Sequence, residues 1–233
     1  MERLERINCL LGTEMVASFR KENILVVGCG GVGGYVIEGL VRSGFLDLTI
    51  VDYDKVDITN CNRQIIALSS TINQDKVELI KKRAIDINPE ANIVALKIKV
   101  SMDNIEKLFL SDYTYVIDAC DDIKAKELLL TYCNKKKIPI ISCMGMGKRL
   151  DPTKIEITTI EKTYNDPLAR KLRYFIKQNR LSLKTKVCFS SELPVKLDSN
   201  IIASCAFVPA TAGMVIASEV VKDTRTKLKT SFQ

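Results

Sequence analysis

The sequence predicts an α/β fold with a mostly parallel sheet. Apolar runs of strand length alternate with amphipathic segments of helix length through the first 150 residues, an order typical of parallel strands joined by helices. A glycine cluster separates the first strand from the first helix. Later the pattern changes to the alternation IEITTIE, typical of a half-exposed antiparallel strand. We therefore expect a mostly parallel sheet flanked by helices and extended by antiparallel strands in the C-terminal part.

Turn and capping residues set the expected element boundaries. Gly44 closes the first helix, and the Asn88–Pro89 pair ends the second. Ser101 or Asp103 can cap a short helix behind the third strand. The predicted strands are residues 23–27, 48–54, 92–100, 114–120, 138–143 and 186–190, and the predicted helices are residues 32–43, 76–87, 124–136, 166–179 and a closing helix from Pro209. Residues 222–233 are expected to form a fraying polar end.

Composition and charge limit the classes of function. The chain has 233 residues, 46% of them hydrophobic, which is enough to bury a core as one large domain or two small ones. Its net charge of +7 suggests an anionic partner such as a nucleotide or a nucleic acid, with an indifferent basic surface as the alternative. The sequence contains no histidine, which excludes His-dependent hydrolase triads, histidine metal sites and imidazole acid–base chemistry.

Cysteine usage and the apolar segments indicate a cytoplasmic protein with reduced thiols. The chain has eight cysteines, none of which forms the C-x-x-C pair of a zinc ribbon. The first residues, MERLERINCLLG, are charged and lack the apolar core of a signal peptide. Residues 201–218 carry no charge over about the minimum length for a membrane span. Pro209 and many small residues favour a buried helix there instead.

A nucleotide site is indicated by the stretch VVGCGGVGG, whose glycines are Gly28, Gly30, Gly31, Gly33 and Gly34. The first four follow a strand and open a helix, the context in which a glycine-rich backbone approaches phosphate and a helix N-terminus attracts negative charge. Asp52 ends the next strand, where a carboxylate can accept hydrogen bonds from ribose hydroxyls. A turn that merely packs the helix on the sheet is the alternative. These residues alone do not distinguish NAD from ATP.

Residues further along the chain favour ATP. Four polar side chains follow the ribose carboxylate, and they are Asn60, Arg63, Gln64 and Lys76. A nicotinamide dehydrogenase has no chemical use for them, whereas an enzyme that cleaves ATP between its α- and β-phosphates needs cations to stabilise the leaving pyrophosphate. Such an enzyme also needs a carboxylate for Mg²⁺. Asp118 and Asp121 lie at the C-terminal edge of the fourth predicted strand, where ligands bind in open α/β sheets.

These motifs resemble those of the ThiF-like adenylating enzymes, which include ubiquitin-activating enzymes and the thiamine- and molybdopterin-biosynthesis adenylyltransferases. The matching motifs are GCGGVG, IVDYD, N-x-x-R-Q, DKVE and D-x-x-D. The resemblance implies one Rossmann-like domain over residues 1–233, with a nucleotide-binding part at 1–150 and a substrate-facing and closing part at 151–233. It implies Mg²⁺ on Asp121, and catalytic roles for Arg63, Lys76 and Asp121. The implied ATP-binding residues are Gly28, Gly30, Gly31, Gly33, Asp52, Asp54, Asn60, Arg63, Gln64, Lys76 and Asp118.

The second half of the chain is similar to the tRNA threonylcarbamoyladenosine dehydratase branch of that family. The similarity is carried by INP, NKKKIP, DPTKI, KTYNDPLARKLR, VCFSSELP and AFVPATAGMVIASEVV. It implies ATP-dependent cyclisation of threonylcarbamoyladenosine next to the anticodon of tRNA, in which the threonyl carboxylate is adenylated and a carbamoyl atom then expels AMP. The resemblance also implies a homodimer, with Arg3 or Arg6 as the arginine that reaches across it. It further admits a sulfur-transfer partner protein.

Several residues outside these motifs are candidates for substrate contact. Between residues 162 and 186 there are eight Lys or Arg residues and a single acid, Asp166. Helical spacing turns Leu168, Leu172 and Ile176 inward. An outer face then carries Arg170, Arg173, Tyr174 and Lys177, either as a phosphate-tracking strip or as an ordinary solvated face. Lys148 and Arg149 are expected near the mouth of the site.

Two further residues have alternative roles. Cys188 is interpreted as a buried strand residue, with a reactive thiol as the alternative. Asp122, beside the D-x-x-D motif, either assists the metal or is only exposed. Three other functions stay open for the whole chain: an adenylyltransferase for the C-terminal glycine of a sulfur-carrier protein, an NAD-dependent oxidoreductase, and a non-catalytic nucleotide-binding scaffold.

Overall fold

The computed structural model describes residues 3–198 and 202–231 and confirms the α/β prediction. A seven-stranded sheet has the order β3-β2-β1-β4-β5-β7-β6. Every neighbouring pair is parallel except β6 and β7, which are antiparallel as the alternation of IEITTIE predicts. The strands are β1 (Asn23–Val27), β2 (Asp47–Val51), β3 (Asn92–Leu96), β4 (Tyr115–Asp118), β5 (Ile140–Cys143), β6 (Ile155–Thr159) and β7 (Lys186–Ser190).

Eight described helices surround this sheet, and they are α1 (Glu5–Leu11), α2 (Thr13–Phe19), α3 (Gly33–Ser43), α4 (Lys76–Ile87), α5 (Ile105–Leu108), α6 (Ile123–Lys136), α7 (Pro167–Gln178) and α8 (Phe207–Ser231). Both faces of the sheet are covered because successive strand residues point to opposite sides. In β1, Ile24 and Val26 join the core cluster beneath α2, α3, α4 and α8. Leu25 and Val27 join the cluster beneath α5 and α6. A third cluster lies beneath α7.

The strand order places a crevice at the centre of the sheet. The chain runs outward from β1 through β2 to β3, and β4 then returns to pair with the other side of β1. Open α/β sheets bind ligands where the order reverses in this way, outside the carboxyl ends of the strands. Gly28 follows β1 there, and its Cα is so close to the segment after β4 that an added Cβ would lie 2.6 Å from the carbonyl oxygen of Ala119. The glycine cluster therefore lies at the switch point.

Several predicted boundaries differ from the observed ones. Strands β2, β3, β4 and β5 are shorter than predicted, so residues 52–54, 97–100, 119–120 and 138–139 lie outside them. The prediction of Ser101 or Asp103 as a helix cap is wrong, because Asn104 precedes α5 and its Oδ1 accepts a hydrogen bond from the amide of Ser101 at 2.9 Å. The sequence patterns also gave no prediction of α1 and α2.

The closing helix is longer than predicted at both ends. It begins at Phe207 rather than Pro209 and continues to Ser231, so the prediction of a fraying end from residue 222 is wrong, while residues 232–233 lie outside the described residues. Strand residues anchor its polar half, since Lys186 Nζ pairs with Asp223 at 2.6 Å and Tyr115 donates to the same carboxylate at 2.8 Å. In the part of the chain that the structure describes, no helix is long and apolar enough to span a membrane.

Candidate active site

The glycine loop between β1 and α3 is packed too tightly for other residues at two positions. Gly28 has a φ of 99°, in the left-handed region that favours glycine. An added Cβ at Gly33 would lie 1.7 Å from the carbonyl oxygen of Gly28. Gly30 and Gly31 differ, because an added Cβ there would meet nothing closer than 3.4 Å. Two glycines thus shape the turn, and at the other two an added Cβ would only make ordinary contacts with its neighbours.

The loop presents free backbone donors at the start of α3. Within residues 3–198 and 202–231, no backbone acceptor takes a hydrogen bond from the amides of Gly30, Gly31 or Gly33. The first amides of a helix have no intrahelical partner and carry part of the positive end of the helix dipole. Because Gly30 and Gly31 place no side chain over these donors, the donors fit the phosphates of a nucleotide.

Asp52 fixes the loop from the end of β2. Its Oδ2 accepts a hydrogen bond from the amide of Cys29 at 2.7 Å, and its Oδ1 accepts one from the amide of Asp54 at 2.9 Å. Burial raises the pKa of the Asp52 carboxyl, opposed by the two backbone hydrogen bonds and by the positive charge of Lys76. The structure therefore brings the predicted ribose carboxylate to the glycine loop and makes it part of the loop's support.

Lys76, the first residue of α4, is held beside the same carboxylates. Its side chain is 5% exposed, and its Nζ forms an ion pair with Asp54 Oδ2 at 2.9 Å. Asp54 itself is only partly buried. A buried cation with one carboxylate partner at the edge of the crevice is suited to attract phosphate. The predicted grouping of Asp52, Asp54 and Lys76 is thus observed.

The turn that contains N-x-x-R-Q lies against the glycine loop. An added Cβ at Gly31 would lie 3.5 Å from Arg63 Cγ, and one at Gly30 would lie 3.6 Å from Gln64 Nε2. Arg63 Nη1 donates to the backbone oxygen of Thr59 at 2.8 Å, which holds the guanidinium in place while part of it stays exposed. The structure therefore brings Arg63 and Gln64 against the glycine loop.

Two other polar residues of this turn, Asn60 and Gln64, are buried. Asn60 is buried, and its Oδ1 accepts a hydrogen bond from the amide of Asp57 at 3.2 Å, which closes the short 3₁₀ turn Ile58–Asn60. Gln64 is also buried, and its Oε1 finds no hydrogen-bond partner among the described residues. A buried polar atom without a partner is costly, so a bound group that satisfies Gln64 is expected at this wall of the crevice.

The two aspartates of D-x-x-D have different surroundings. Asp118, expected to contact the nucleotide, is fully buried instead, and its two oxygens accept from Lys126 Nζ at 3.0 and 2.9 Å. It also accepts from the hydroxyl of Ser142, and Lys126 donates to the backbone oxygen of Cys143 at 2.7 Å. Burial lowers the pKa of Lys126, but the negative charge of Asp118 outweighs this effect and raises the pKa of Lys126 above its ordinary value. Asp118 therefore supports the candidate site from inside the fold, through its contacts with Lys126 and Ser142.

Asp121 is exposed at the opening of the crevice. The negative charge of Asp54 and burial raise the pKa of Tyr53, and Asp121 makes a smaller contribution in the same direction. Its neighbour Asp122 instead caps α6, where it accepts from the amide of Lys124 at 2.8 Å. Asp122 also pairs with Lys99 at 3.3 Å. Asp122 is partly buried, and this capping and ion-pairing role is one that neither alternative included.

The predictions on the substrate side are partly wrong. Arg149 is buried, and it donates to the backbone oxygens of Gly145 and Asn165 at 3.0 Å each. Arg173 is turned inward and donates to the backbone oxygen of Thr163 at 2.8 Å. Neither arginine is therefore free at the site mouth or on the outer face. Cys188 is a buried residue of β7, and the neighbouring Cys143 and burial raise the pKa of its thiol, in agreement with the interpretation as a strand residue.

The remaining substrate-side residues have mixed outcomes. Leu172 and Ile176 are buried and Leu168 is partly buried, as the helical spacing predicts. Lys148 is partly buried and has a positive φ of 59°. Arg3 donates to the backbone oxygen of Ile87 at 2.8 Å, whereas Arg6 is exposed.

Sequence reasoning missed three residues near the site: Lys126, Tyr53 and Lys99. A signal for Lys126 was present, because it stands three and four residues before Leu129 and Leu130 on the buried stripe of α6. A lysine in such a position needs a buried acid as its partner. Tyr53 and Lys99 form a cation–π contact, with Nζ 5.3 Å from the ring centroid. They follow different strands, so no local pattern links them.

Comparison with known proteins gives the family. The ThiF family model matches residues 4–229. This chain belongs to the ThiF family. Among curated proteins, this ThiF-family chain is 37% identical to the tRNA threonylcarbamoyladenosine dehydratase of Bacillus subtilis (strain 168) over 96% of its own length and 94% of that protein. Among solved structures, it is similar to the E. coli tRNA N6-threonylcarbamoyladenosine dehydratase.

That similarity holds for two complexes of the E. coli protein. The chain matches the complex with AMP at a TM-score of 0.93 and 35% identity, covering 97% of this chain and 95% of the other. It matches the complex with ATP at a TM-score of 0.92 and 35% identity, with the same coverage. The strand order and crevice described above are therefore those of a ThiF-family fold that binds ATP and AMP in a relative.

Proposed function

We propose that this chain catalyses the ATP-dependent cyclising dehydration of threonylcarbamoyladenosine in tRNA, through adenylation of the threonyl carboxylate. The observation that carries the proposal is the joint position of Arg63 and Gln64 against the glycine loop, with Lys76 buried beside Asp52 and Asp54. These are the side chains that bind and activate a nucleoside triphosphate at its phosphates. Similarity to the Bacillus subtilis dehydratase over nearly the whole chain supports the choice of substrate.

In the proposed ATP complex, each group has a defined task. The free amides at the start of α3 bind phosphate, with Gly30 and Gly31 leaving room for it. Asp52 accepts from the ribose hydroxyls. Arg63 and Lys76 stabilise the negative charge that develops on the leaving pyrophosphate. Mg²⁺, when bound, neutralises part of the same charge, and we assign it to Asp121 together with phosphate oxygens, because Mg²⁺ is usually held by few carboxylates plus substrate phosphates.

The reaction then needs two displacements. An oxygen of the threonyl carboxylate attacks the α-phosphorus of ATP and pyrophosphate leaves, which gives an acyl-adenylate. A carbamoyl atom of the same modified nucleoside attacks the acyl carbon, loses its proton and expels AMP, so the ring closes and the nucleoside has lost one water. The attacking group is already tethered to its target, which gives it a high effective concentration.

An enzyme nucleophile is not required, and the thiols nearest the loop are poorly suited to be one. Burial, with a further contribution from Asp52, raises the pKa of Cys29 well above its ordinary value. Burial and Asp118 do the same for Cys120. Because the thiolate is the reactive form of cysteine, both side chains are protonated and unreactive at neutral pH. The tethered carbamoyl group therefore serves as the nucleophile.

We further propose the setting in which the enzyme acts. The chain forms one domain and works as a cytoplasmic homodimer. Its thiols stay reduced in that compartment, in line with eight free cysteines. Arg6 is the better candidate of the two N-terminal arginines for a contact across the dimer, because it is exposed whereas Arg3 is engaged with Ile87 of its own chain. A sulfur-transfer protein remains a proposed partner.

The function is tested by the mass of the product nucleoside. The protein is incubated with ATP, Mg²⁺ and tRNA carrying threonylcarbamoyladenosine, and the nucleoside released by digestion is weighed. We expect the loss of one water per modified nucleoside and one AMP and one pyrophosphate per event. An unchanged mass, with pyrophosphate released only when a ubiquitin-like sulfur carrier is added, would instead identify an adenylyltransferase for that carrier.

Two alanine substitutions in the glycine loop should separate folding from nucleotide binding. Gly33→Ala places a methyl group 1.7 Å from the Gly28 oxygen, so we expect the free energy of unfolding to fall by about 3 kcal/mol, the upper range for overpacking. Gly30→Ala meets nothing closer than 3.6 Å, so the fold should persist. Its methyl group occupies phosphate space, so ATP affinity should fall by about tenfold or more, ~1.4 kcal/mol.

Urea denaturation and calorimetric titration with a non-hydrolysable ATP analogue measure the two effects. Equal loss of stability in both variants would contradict the division of the four glycines into two that shape the turn and two that face the ligand.

A further inference from the structure

A groove between α6 and α7 lies outside the nucleotide crevice. Its volume is about 570 Å³, comparable to one or two nucleotides. The residues that line it define the α6–α7 groove, and they are Ile123, Glu127, Arg170, Lys171, Tyr174, Phe175, Gln178 and Asn179. On α7 these residues recur at intervals of about four, so they share one face of the helix.

One end of the groove adjoins the candidate active site. Ile123 opens α6 and stands two residues beyond Asp121. Asp166, which caps α7, accepts a hydrogen bond from the amide of Gly145 at 2.9 Å, and Gly145 lies just after β5. Both helices thus begin at the edge of the sheet that carries the crevice, and they run away from it side by side. A polymer with one unit in the crevice can continue into the groove.

The side chains in the groove fit a polyanion with stacked bases. Arg170 and Lys171 are exposed, and they form no salt bridge with any residue in the described ranges 3–198 and 202–231. Tyr174 is 68% exposed, and within residues 3–198 and 202–231 its ring makes no aromatic or cation–π contact. Glu127 on α6 is the one acidic lining residue, so the two cations leave a net positive charge.

Stacking platforms flanked by cations are how proteins hold single-stranded nucleic acid. Arg173, on the same helix, is not available for phosphate, because its guanidinium is turned inward to the oxygens of Thr163. The lining is mostly apolar, with Ile123, Phe175 and the Tyr174 ring beside the two cations. Apolar surface for bases next to exposed cations for phosphates favours RNA over a protein segment.

We propose that the α6–α7 groove binds the RNA strand next to the modified nucleoside, with a base stacked on Tyr174 and phosphates on Arg170 and Lys171. The proposal rests on the function proposed above, since it extends the RNA substrate from the crevice into the groove. It assigns the groove to a loop rather than a duplex, because bases can stack on an aromatic side chain only when they are unpaired.

The test measures affinity for a labelled tRNA anticodon stem-loop by fluorescence anisotropy over a series of salt concentrations. Tyr174→Ala should raise Kd about fivefold or more, whereas Tyr174→Phe should retain wild-type affinity because stacking needs only the ring. Arg170→Ala combined with Lys171→Ala should raise Kd and also reduce the slope of log Kd against log salt by about 1.4, since two phosphate contacts are lost. Lys81→Ala combined with Lys82→Ala on α4 removes the same charge elsewhere and should leave that slope unchanged.

Kinetics with modified tRNA give a second readout. In the groove variants, kcat/KM for tRNA should fall in proportion to affinity, while KM for ATP stays at the wild-type value. If both groove variants keep the wild-type Kd and salt slope, the proposal is overturned. The same holds if these variants keep RNA binding but lose the binding of a protein partner. This outcome differs from failure of the proposed function, in which the wild-type chain binds the stem-loop through Tyr174 but never dehydrates the nucleoside.

Discussion

Arg63→Ala is expected to lower the rate of tRNA-dependent ATP–pyrophosphate exchange by about 100-fold or more, the effect of removing a group that stabilises transition-state charge. The Cγ and Cδ atoms of Arg63 lie against Gly31 of the glycine loop, which holds the guanidinium beside that loop. Stability should change little, because the side chain is partly exposed and its two hydrogen bonds go to neighbours in its own turn.

The control for this variant is Arg20→Ala. Arg20 is an exposed arginine that pairs with Glu90 at 2.6 Å, so its removal also deletes one guanidinium and one contact. Exchange should proceed at the wild-type rate in this control, and both variants should share the urea midpoint of the wild-type chain. Exchange within threefold of wild type in Arg63→Ala would show that another group activates ATP.

Lys126→Met is expected to lower the free energy of unfolding by about 3–5 kcal/mol, the usual cost of breaking a buried ion pair from one side. Both partners are fully buried, so Asp118 would keep only the hydroxyl of Ser142 and its contacts with Cys120. The Cys143 backbone oxygen would also lose its donor. Urea denaturation followed by circular dichroism measures the change.

Two further variants make this result specific. Lys124→Met, on the exposed side of the same helix, should change stability by no more than about 0.5 kcal/mol. The double variant Lys126→Met with Asp118→Asn should be more stable than Lys126→Met alone, because the unpaired buried charge is gone. If the double variant loses as much stability as the sum of the two single variants, the pair is not coupled and the assignment of Asp118 as a supporting residue is wrong.

Much of the crevice could be predicted because its signals are local. The carboxyl ends of parallel strands share one edge of the sheet. Glycines between a strand and a helix must therefore lie near a carboxylate that ends the next strand. Gly28, Asp52 and Lys76 were found in this way, and the structure brings them together. The α/β class followed from the same alternation of strands and helices.

What could not be predicted depends on partners far away in the sequence. The spacing of D-x-x-D does not tell which carboxylate is buried, although strand alternation puts Asp118 on the face of Val116, towards α6 and Lys126. Its place after the fifth strand gave Arg149 an expected role near the site mouth, but backbone oxygens bind its side chain inside the fold. The polar end of α8 is helical because Lys186 in β7 holds it, a contact that no local pattern shows.

The pairing of β1 with β4 has a consequence for how the protein is made. Asn23 at the start of β1 bonds to Thr114, 91 residues later, and the segment that follows β4 forms one wall of the glycine loop. On the ribosome, the loop is synthesised early but stays without that wall until the fourth strand has emerged. Contacts of such long range form late in folding. We therefore expect nascent chains that end before β4 to carry the complete glycine-loop sequence without retaining ATP.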